Sequence, residues 1–267
     1  MISLGVAVVH AIATKFSTDM RGLKDYISLV VATFDLAKTD KRRLRSKHVL
    51  ARAALDLHAR ARSSTLGLSL ACEGTYLIAC AQFEQLVRDM LEEAANQASS
   101  KKTAFLDLPP KMREAHTKGC AAILSKITQD KFRHLSESSV AVSLHSCLVG
   151  SPSGSAYNLL VEAFSNNENN FKPEVVADHF KKLGVSDPWE SLSGQSYLQN
   201  YFKFTSADTK RASKERLERI MDQRNIIMHR NKSVERLGVP EVIECAEFFD
   251  ALSQSMAEVL SKYVLSI

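Results

Sequence analysis

The chain has 267 residues, of which 45% are hydrophobic and 24% are charged, and its formal net charge is +5. These values are close to the averages for soluble globular proteins, so they argue against a disordered chain, a collagen-like repeat and a coiled-coil rod. Ten glycines and six prolines are too few for the many tight turns of an all-β sandwich or a doubly wound α/β fold. An all-α helical bundle is therefore predicted.

Hydrophobic residues recur at helical spacing along most of the chain. The predicted helices cover residues 18–38, 41–62, 68–95, 111–127, 132–149, 173–183, about 206–229, and a last helix that ends near 264. The helix at 68–95 has the most continuous apolar stripe, so we expect it at the centre of the bundle. Ser206 and Asp208 are the candidate N-caps of the helix at 206–229. The apolar residues 1–9 lack the basic segment of a signal peptide and are too short to span a bilayer, so we expect them to pack on the protein or on a partner.

Loops rich in Gly, Pro, Ser and Asn interrupt the chain at 150–155, 166–170 and 184–188. The predicted helices near these loops are shorter than those on either side. We expect one helical domain over the whole chain, with three parts. They are N-terminal helices at 1–64, a core bundle at 65–129 and 205–267, and a loopier helical insertion at 130–204.

Positive charge is concentrated in two segments. Residues 35–62 hold nine basic and three acidic side chains, residues 201–236 hold ten and five, and the rest of the chain is net acidic. Two such segments can converge into a surface that collects a polyanion, most commonly a nucleic acid. The alternative is a pair of solvated helix faces without a ligand. The residues that we expect to contact RNA phosphates are Arg42, Arg43, Arg45, Lys47, Arg219, Arg230 and Lys232.

The five cysteines are widely spaced, form no Cys-x-x-Cys pair and have no histidine at zinc-ligand spacing. A disulfide framework and a structural zinc site are therefore not expected. The protein is instead expected in a reducing, cytoplasmic compartment. The sequence contains no His-Glu-x-x-His motif, phosphate-binding glycine loop or carboxylate cluster. We accordingly predict no metal site, no cofactor and no membrane segment.

The segment at 217–229 predicts a helix with Arg224 in the middle of its apolar face. Because arginine keeps its charge, this position requires a paired anion, a wet cavity or a subunit interface. Asn225 and His229 lie four residues apart on the adjacent flank, so a cation, an amide and an imidazole can converge on one anion. The alternative is structural, in which Arg224 pairs with a buried glutamate and His229 merely ends the helix. The apolar face consists of Leu217, Ile220, Met221, Ile227 and Met228.

Arg224, Asn225 and His229 resemble the R-N-x-x-x-H signature of the HEPN superfamily (higher eukaryotes and prokaryotes nucleotide-binding), whose members are helical bundles and include many RNases. The helix at 68–95, which carries Glu84 and Asp89, is similar to the family helix that packs against this motif. The resemblance covers about 65–100 and 205–265 and implies a homodimer whose two motifs form a composite, metal-independent RNA-cleaving site. It also implies toxin–antitoxin or antiphage settings, with an antitoxin or another defence protein as a partner.

The side chains of the motif suit RNA cleavage without a metal ion. Such cleavage needs a base for the 2′-OH proton, a cation for the charge on the phosphorane and an acid for the leaving 5′-oxygen. Histidine titrates near neutrality and suits the proton transfers, whereas a permanently charged arginine suits the phosphate. Asn225 can orient either group. Glu84 is the first candidate for a supporting carboxylate and Asp89 the second, and simple pairing of Glu84 with Arg224 is equally compatible.

Two functions from different classes are consistent with the sequence. The leading hypothesis is a metal-independent endoribonuclease that acts as a toxin or antiphage effector, because Arg224, Asn225 and His229 are intact. The second is a non-catalytic module of the same fold that binds RNA, a nucleotide or a partner protein. Trp189 and Tyr201 can stack on RNA bases, although such residues more often belong to the core. His48 and His58 are expected to face solvent or phosphate.

Overall fold

The structure is a computed structural model that describes residues 4–38, 49–63, 67–149, 157–166, 170–229 and 236–267. Within these ranges the chain forms eleven α-helices, two short 3₁₀ turns and no β-strand, which confirms the predicted all-α fold. The helices are α1 (Leu4–Lys38), α2 (Val49–Ser63), α3 (Gly67–Ser100), α4 (Pro110–Leu124), α5 (Glu137–Val149), α6 (Glu162–Ser165), α7 (Pro173–Leu183), α8 (Pro188–Ser193), α9 (Ser196–Phe202), α10 (Ser206–Met228) and α11 (Val239–Ser266).

The N-terminal helix is longer than the sequence predicted. α1 begins at Leu4 and not near residue 18, because its apolar face continues through the N-terminal residues. Val9, Ala13, Phe16 and Met20 are buried at alternating spacings of four and three residues. This face packs along α3 and α11. Of the apolar residues 1–9, Val9 therefore packs on the protein itself, whereas Val8 is exposed.

Local capping shifts other helix boundaries. α5 begins at Glu137 and not near residue 132, because the Ser136 hydroxyl accepts a hydrogen bond from the Ser139 amide at 3.0 Å. Thr205 occupies the N-cap position of α10, so the expectation of Ser206 or Asp208 there was wrong. The helices α6, α8 and α9 were not predicted, since their 4, 6 and 7 residues are too few to show a helical period.

Three long helices form the centre of the molecule. α1, α3 and α11 pack against one another, and α3 also contacts α6, α7 and α10. The rings of Phe83 on α3 and Phe249 on α11 are stacked with centroids 4.2 Å apart, and both side chains are fully buried. Full burial of a phenylalanine side chain contributes roughly 1.5–3 kcal/mol. α3 thus has the central position that its apolar stripe predicts.

The shorter helices between α3 and α10 share this core. Phe164, Phe171 and Phe180 are fully buried and belong to the same hydrophobic cluster as the side chains of α3 and α11. α3 contacts α6 and α7, whereas α11 contacts α8 and α9. Residues of the 130–204 segment are therefore packed into the bundle. The division of the chain into a core bundle and an insertion stays a prediction.

Of the side chains considered for RNA contacts, two are buried and one is half-buried. Trp189 is 4% exposed and its Nε1 donates a hydrogen bond to the Pro173 carbonyl at 2.8 Å, so it cannot stack on a base. Tyr201 is half-buried, with its ring 5.8 Å from that of Phe248. His58 is 1% exposed, so its expected contact with solvent or phosphate was wrong, because it lies on the buried face of α2, which packs on α1. His48 lies outside the described residues.

Candidate active site

The C-terminal half of α10 lies against the middle of α3. Leu217, Ile220 and Met221 of α10 are buried, and the Tyr76 hydroxyl on α3 donates to the Ile220 carbonyl at 3.4 Å. Burial raises the pKa of Tyr76, so its hydroxyl keeps the proton that it donates. These contacts bring the next turn of α10, which carries the R-N-x-x-x-H motif, beside Glu84 of α3.

Two amide oxygens hold the guanidinium of Arg224. Its Nη1 donates to Asn170 Oδ1 at 2.7 Å and to Asn225 Oδ1 at 3.2 Å. Its Nη2 lies 3.9 Å from Glu84 Oε1, and 27% of the arginine side chain is exposed. Neutral acceptors therefore orient the guanidinium, which faces one carboxylate among the described residues and remains accessible to solvent.

Asn170 is a member of the site that sequence reasoning missed. Its Nδ2 donates to Asn225 Oδ1 at 2.7 Å, so Asn170, Asn225 and Arg224 form a closed cycle of hydrogen bonds. Asn225 thereby orients the arginine, one of the two roles that the sequence allowed. Asn170 and Arg224 are 54 residues apart, and the asparagine-rich segment around Asn170 reads only as a loop. No local pattern could have revealed this contact.

Glu84 lies between two arginines. Its Oε1 is 3.9 Å from Arg224 Nη2, and its Oε2 is 3.9 Å from Arg88 Nη2. These distances exceed a hydrogen bond, so Glu84 acts on both guanidiniums through its charge. Its Oε1 is buried and has no hydrogen-bond partner among the residues that the structure describes. Asp89, the second candidate, instead accepts a hydrogen bond from Gln85 Nε2 at 2.7 Å on an exposed face of α3.

Phe171 and Lys172, which follow Asn170, anchor this segment to α3 and α10. The Arg88 guanidinium lies over the Phe171 ring, 4.9 Å from its centroid. Lys172 Nζ lies 2.7 Å from Asp222 Oδ1 and 2.6 Å from Glu218 Oε1. Hydrogen bonds to these two carboxylates raise the pKa of Lys172. These contacts of Phe171 and Lys172 place the Asn170 amide beside Arg224.

His229 stands at the rim of the site. It is the C-cap of α10, where its backbone amide donates to the Asn225 carbonyl at 3.0 Å and its side chain is exposed. The imidazole makes no hydrogen bond or ion pair with any described residue. Met228, which lies on the apolar face of the helix, is 55% exposed. The reason is that α10 extends past the core, and none of residues 222–229 is buried.

Among the described residues, positive and negative charges around Arg224 are equal in number but unevenly distributed. Lys172 has two carboxylates within 2.7 Å, whereas Arg88 and Arg224 share one carboxylate at 3.9 Å. Positive potential is therefore concentrated at the two guanidiniums. The described charged groups on which this comparison rests are Arg88, Lys172 and Arg224 with Glu84, Glu218 and Asp222.

Of the residues expected to contact RNA phosphates, Arg219 is exposed on α10. The role of this residue and of the two basic segments stays a prediction. The other six, which lie outside the described residues, are Arg42, Arg43, Arg45, Lys47, Arg230 and Lys232.

Within the described ranges, no group of three or more His, Cys, Asp or Glu side chains is arranged to hold a metal ion. In the same part of the chain, none of the helices combines the length and the apolar character that a membrane crossing requires. All five cysteines are buried free thiols.

A family model described as RiboL-PSP-HEPN matches residues 67–262. The match begins with α3, ends within α11 and includes Glu84, Asn170 and the motif at Arg224, Asn225 and His229. It also runs through residues 130–204, for which the sequence offered no family motif. Among curated proteins and among solved structures, nothing matches the chain.

Proposed function

Because the chain belongs to the HEPN superfamily through its RiboL-PSP-HEPN domain, we propose that it is an endoribonuclease that cleaves RNA without a metal ion. The observation that carries this proposal is the placement of Arg224, held by two amide oxygens, one turn before the exposed imidazole of His229. A cation for the phosphate and a group that transfers protons are what metal-independent RNA cleavage requires.

In the proposed reaction, the 2′-oxygen attacks the adjacent phosphorus and the bond from phosphorus to the 5′-oxygen breaks. A neutral imidazole takes the proton of the 2′-hydroxyl, and an imidazolium gives a proton to the leaving 5′-oxygen. The products are a 2′,3′-cyclic phosphate and a 5′-hydroxyl. Arg224 donates to the non-bridging phosphate oxygens and stabilises the growing negative charge, while Asn225 and Asn170 keep its guanidinium oriented. Glu84 supports Arg224 from the side of α3.

We propose that the active form is a homodimer. One chain offers a single His229, whereas the reaction uses both a base and an acid. Two motifs that face each other across a shared cleft supply both imidazoles. Ile226 and Met228, which flank the motif, are 40% and 55% exposed. Exposed apolar side chains beside a polar site support an interface at this position.

The cellular setting that we propose is cytoplasmic, and the role is that of a toxin or antiphage effector with an antitoxin or another defence protein as a partner. The five buried free thiols support a reducing compartment. The membership in the HEPN superfamily supports the defence role.

A non-catalytic binding module of the same fold is the second candidate function. The observation that favours it is that Arg224 Nη1 is already occupied by the oxygens of Asn170 and Asn225. Such a module would bind RNA or a nucleotide through the guanidiniums of Arg88 and Arg224 and leave the bound molecule intact.

Incubation of the purified chain with labelled RNA in excess EDTA separates the two functions. We expect cleavage to products with 2′,3′-cyclic phosphate ends, and binding without cleavage when every 2′-hydroxyl of the same RNA is methylated. Binding of unmodified RNA without cleavage would support the non-catalytic module. Cleavage that requires added Mg²⁺, or cleavage of the methylated RNA, would overturn the proposed mechanism.

A further inference from the structure

A cleft of about 770 Å³ lies between α4 and α7, apart from the candidate active site. Neither the motif residues nor Glu84 line it. The apolar part of its wall is formed by Ala115, Gly119, Ala122, Ala163 and Val185. Its basic side chains are Lys111, Lys118, Lys181 and Lys182. The cleft thus combines a smooth apolar wall with several cations.

Two glycines give the cleft its shape. A side-chain methyl group at Gly119 would collide with the carbonyl oxygen of Ala163, so glycine lets α4 approach the α6 backbone directly. Gly184 ends α7 with a φ of +115°, in the left-handed region that favours glycine, and the chain then turns so that Val185 lines the cleft. The wall therefore has small side chains and room beside them for a ligand of the size of a small organic molecule.

Most of the cations at the cleft already have carboxylate partners. Lys111 and Lys118 share Glu114 at 3.2 and 2.7 Å, and Lys181 lies 3.8 Å from Asp178. These pairs are exposed and weakly bound, and the described lining residues include four lysines and two carboxylates, so this part of the lining has a surplus of positive charge.

Lys182 is the cation without a carboxylate partner among the described residues. Lys182 is half-buried, and its Nζ lies 3.3 Å from His179 Nδ1. That nitrogen lies 2.8 Å from the Phe164 carbonyl oxygen, so it carries a proton that it donates to this oxygen and cannot also accept one from Lys182. Burial lowers the pKa of Lys182, and the negative charge of Asp178 offsets this lowering only in part.

We infer that this cleft binds a small organic anion, with its acidic head group on Lys182 and its apolar body against the wall formed by Ala115, Ala122 and Ala163. A carboxylate, sulfonate or phosphate group supplies the acceptor that Lys182 lacks among the described residues. None of the described residues that line the wall has an aromatic side chain, so the apolar body is held by shape and burial rather than by stacking. This inference does not rest on the proposed nuclease activity.

Fluorescence titration of the full chain with the dye anilinonaphthalene sulfonate, an apolar anion, tests the inference. Lys182→Met should raise the dissociation constant roughly tenfold or more, because a charged hydrogen bond is lost. Lys15→Met, a change of an exposed lysine on α1, should leave it within about twofold. An equal dissociation constant for Lys182→Met and wild type would overturn the assignment of Lys182.

A second pair of variants tests the cleft without altering its charge. Ala122→Phe fills the cleft and should abolish dye binding, whereas Ala121→Phe, on the same helix but outside the cleft, should not. Both alanines are exposed, so both variants are expected to fold, which circular dichroism can verify. Displacement of the dye by phenyl phosphate or by benzoate identifies the preferred head group. Equal displacement by phenol, or unchanged dye binding by Ala122→Phe, would overturn the inference.

Discussion

The guanidinium of Arg224 is oriented by amide oxygens rather than by a bidentate carboxylate. Nη1 donates to Asn170 and Asn225, whereas the Glu84 carboxylate stands 3.9 Å from Nη2. A bidentate carboxylate would hold an arginine more firmly but would also cancel its charge. Amide acceptors fix the position of Arg224 and leave its positive charge available to a phosphate.

Asn170 is therefore expected to act as a positioning residue for RNA cleavage. Asn170→Ala should lower kcat roughly tenfold or more with little change in KM, because Arg224 loses an orienting hydrogen bond but keeps its charge. Asn200→Ala, which removes an exposed amide on α9, is the matched control and should change neither constant. Steady-state cleavage assays measure both constants. A higher KM at unchanged kcat would show that Asn170 serves binding alone.

The sequence predicted only the part of the site that is local along the chain. Arg224, Asn225 and His229 lie within six residues on one helix, so a linear motif reveals them. Asn170 and Lys172 contact residues of α10 that lie 54 and 46 positions later in the sequence, and neither belongs to a periodic pattern. The positions of these two side chains depend on how the segment before α7 packs. A helical wheel of α10 carries no information about that packing.

At the scale of the helices, periodicity predicted the long elements better than the short ones. α3, α7, α10 and α11 lie close to their expected positions because each buries a continuous apolar face. α6, α8 and α9 are too short to show a period, and the start of α5 is set by the side chain of Ser136. Helix caps and short helices depend on single side chains. A hydrophobic pattern therefore does not reveal where they lie.

Two buried histidines connect their helices to backbone groups of the segment at 160–164. His116 of α4 accepts the Leu160 amide on Nε2 at 3.1 Å, and His179 of α7 contacts the Phe164 carbonyl through Nδ1 at 2.8 Å. Burial lowers the pKa of His116 from 6.5 to about 4, and burial with the nearby Lys182 charge lowers that of His179 to about 4. Both side chains are therefore neutral in the folded protein near pH 7.

The stability of the fold should fall as the pH drops from about 6.5 towards 4. In this window the unfolded chain binds protons at both histidines and the folded chain does not, so protonation favours unfolding. The loss should reach roughly 3 kcal/mol per histidine at most. Denaturant unfolding at several pH values measures this dependence. His116→Gln should flatten it, whereas His145→Gln, a change of an exposed histidine on α5, should not. Identical pH dependence for wild type and His116→Gln would contradict the prediction.

At the scale of the whole molecule, the exposed end of α10 predicts a dimer. Light scattering at micromolar concentration should give a mass of about twice the 29.6 kDa of the chain. Met228→Lys places a charge in the expected interface, so it should yield monomers and lose RNA cleavage. Val142→Lys changes a side chain of similar exposure on α5 and should alter neither property. A monomeric wild type with full activity would contradict the composite site.

The most direct test of RNA cleavage by this motif is the single-turnover rate of His229→Ala at saturating RNA in excess EDTA. His145→Ala is the matched control, since His145 is also an exposed histidine but lies on α5. We expect His229→Ala to lower the rate roughly a hundredfold or more, because it removes the proton-transfer group, with RNA binding and thermal unfolding unchanged. His145→Ala should cleave within about twofold of wild type. If His229→Ala also cleaved RNA within about twofold of wild type, the imidazole would have no role in the reaction and the proposed mechanism would be wrong.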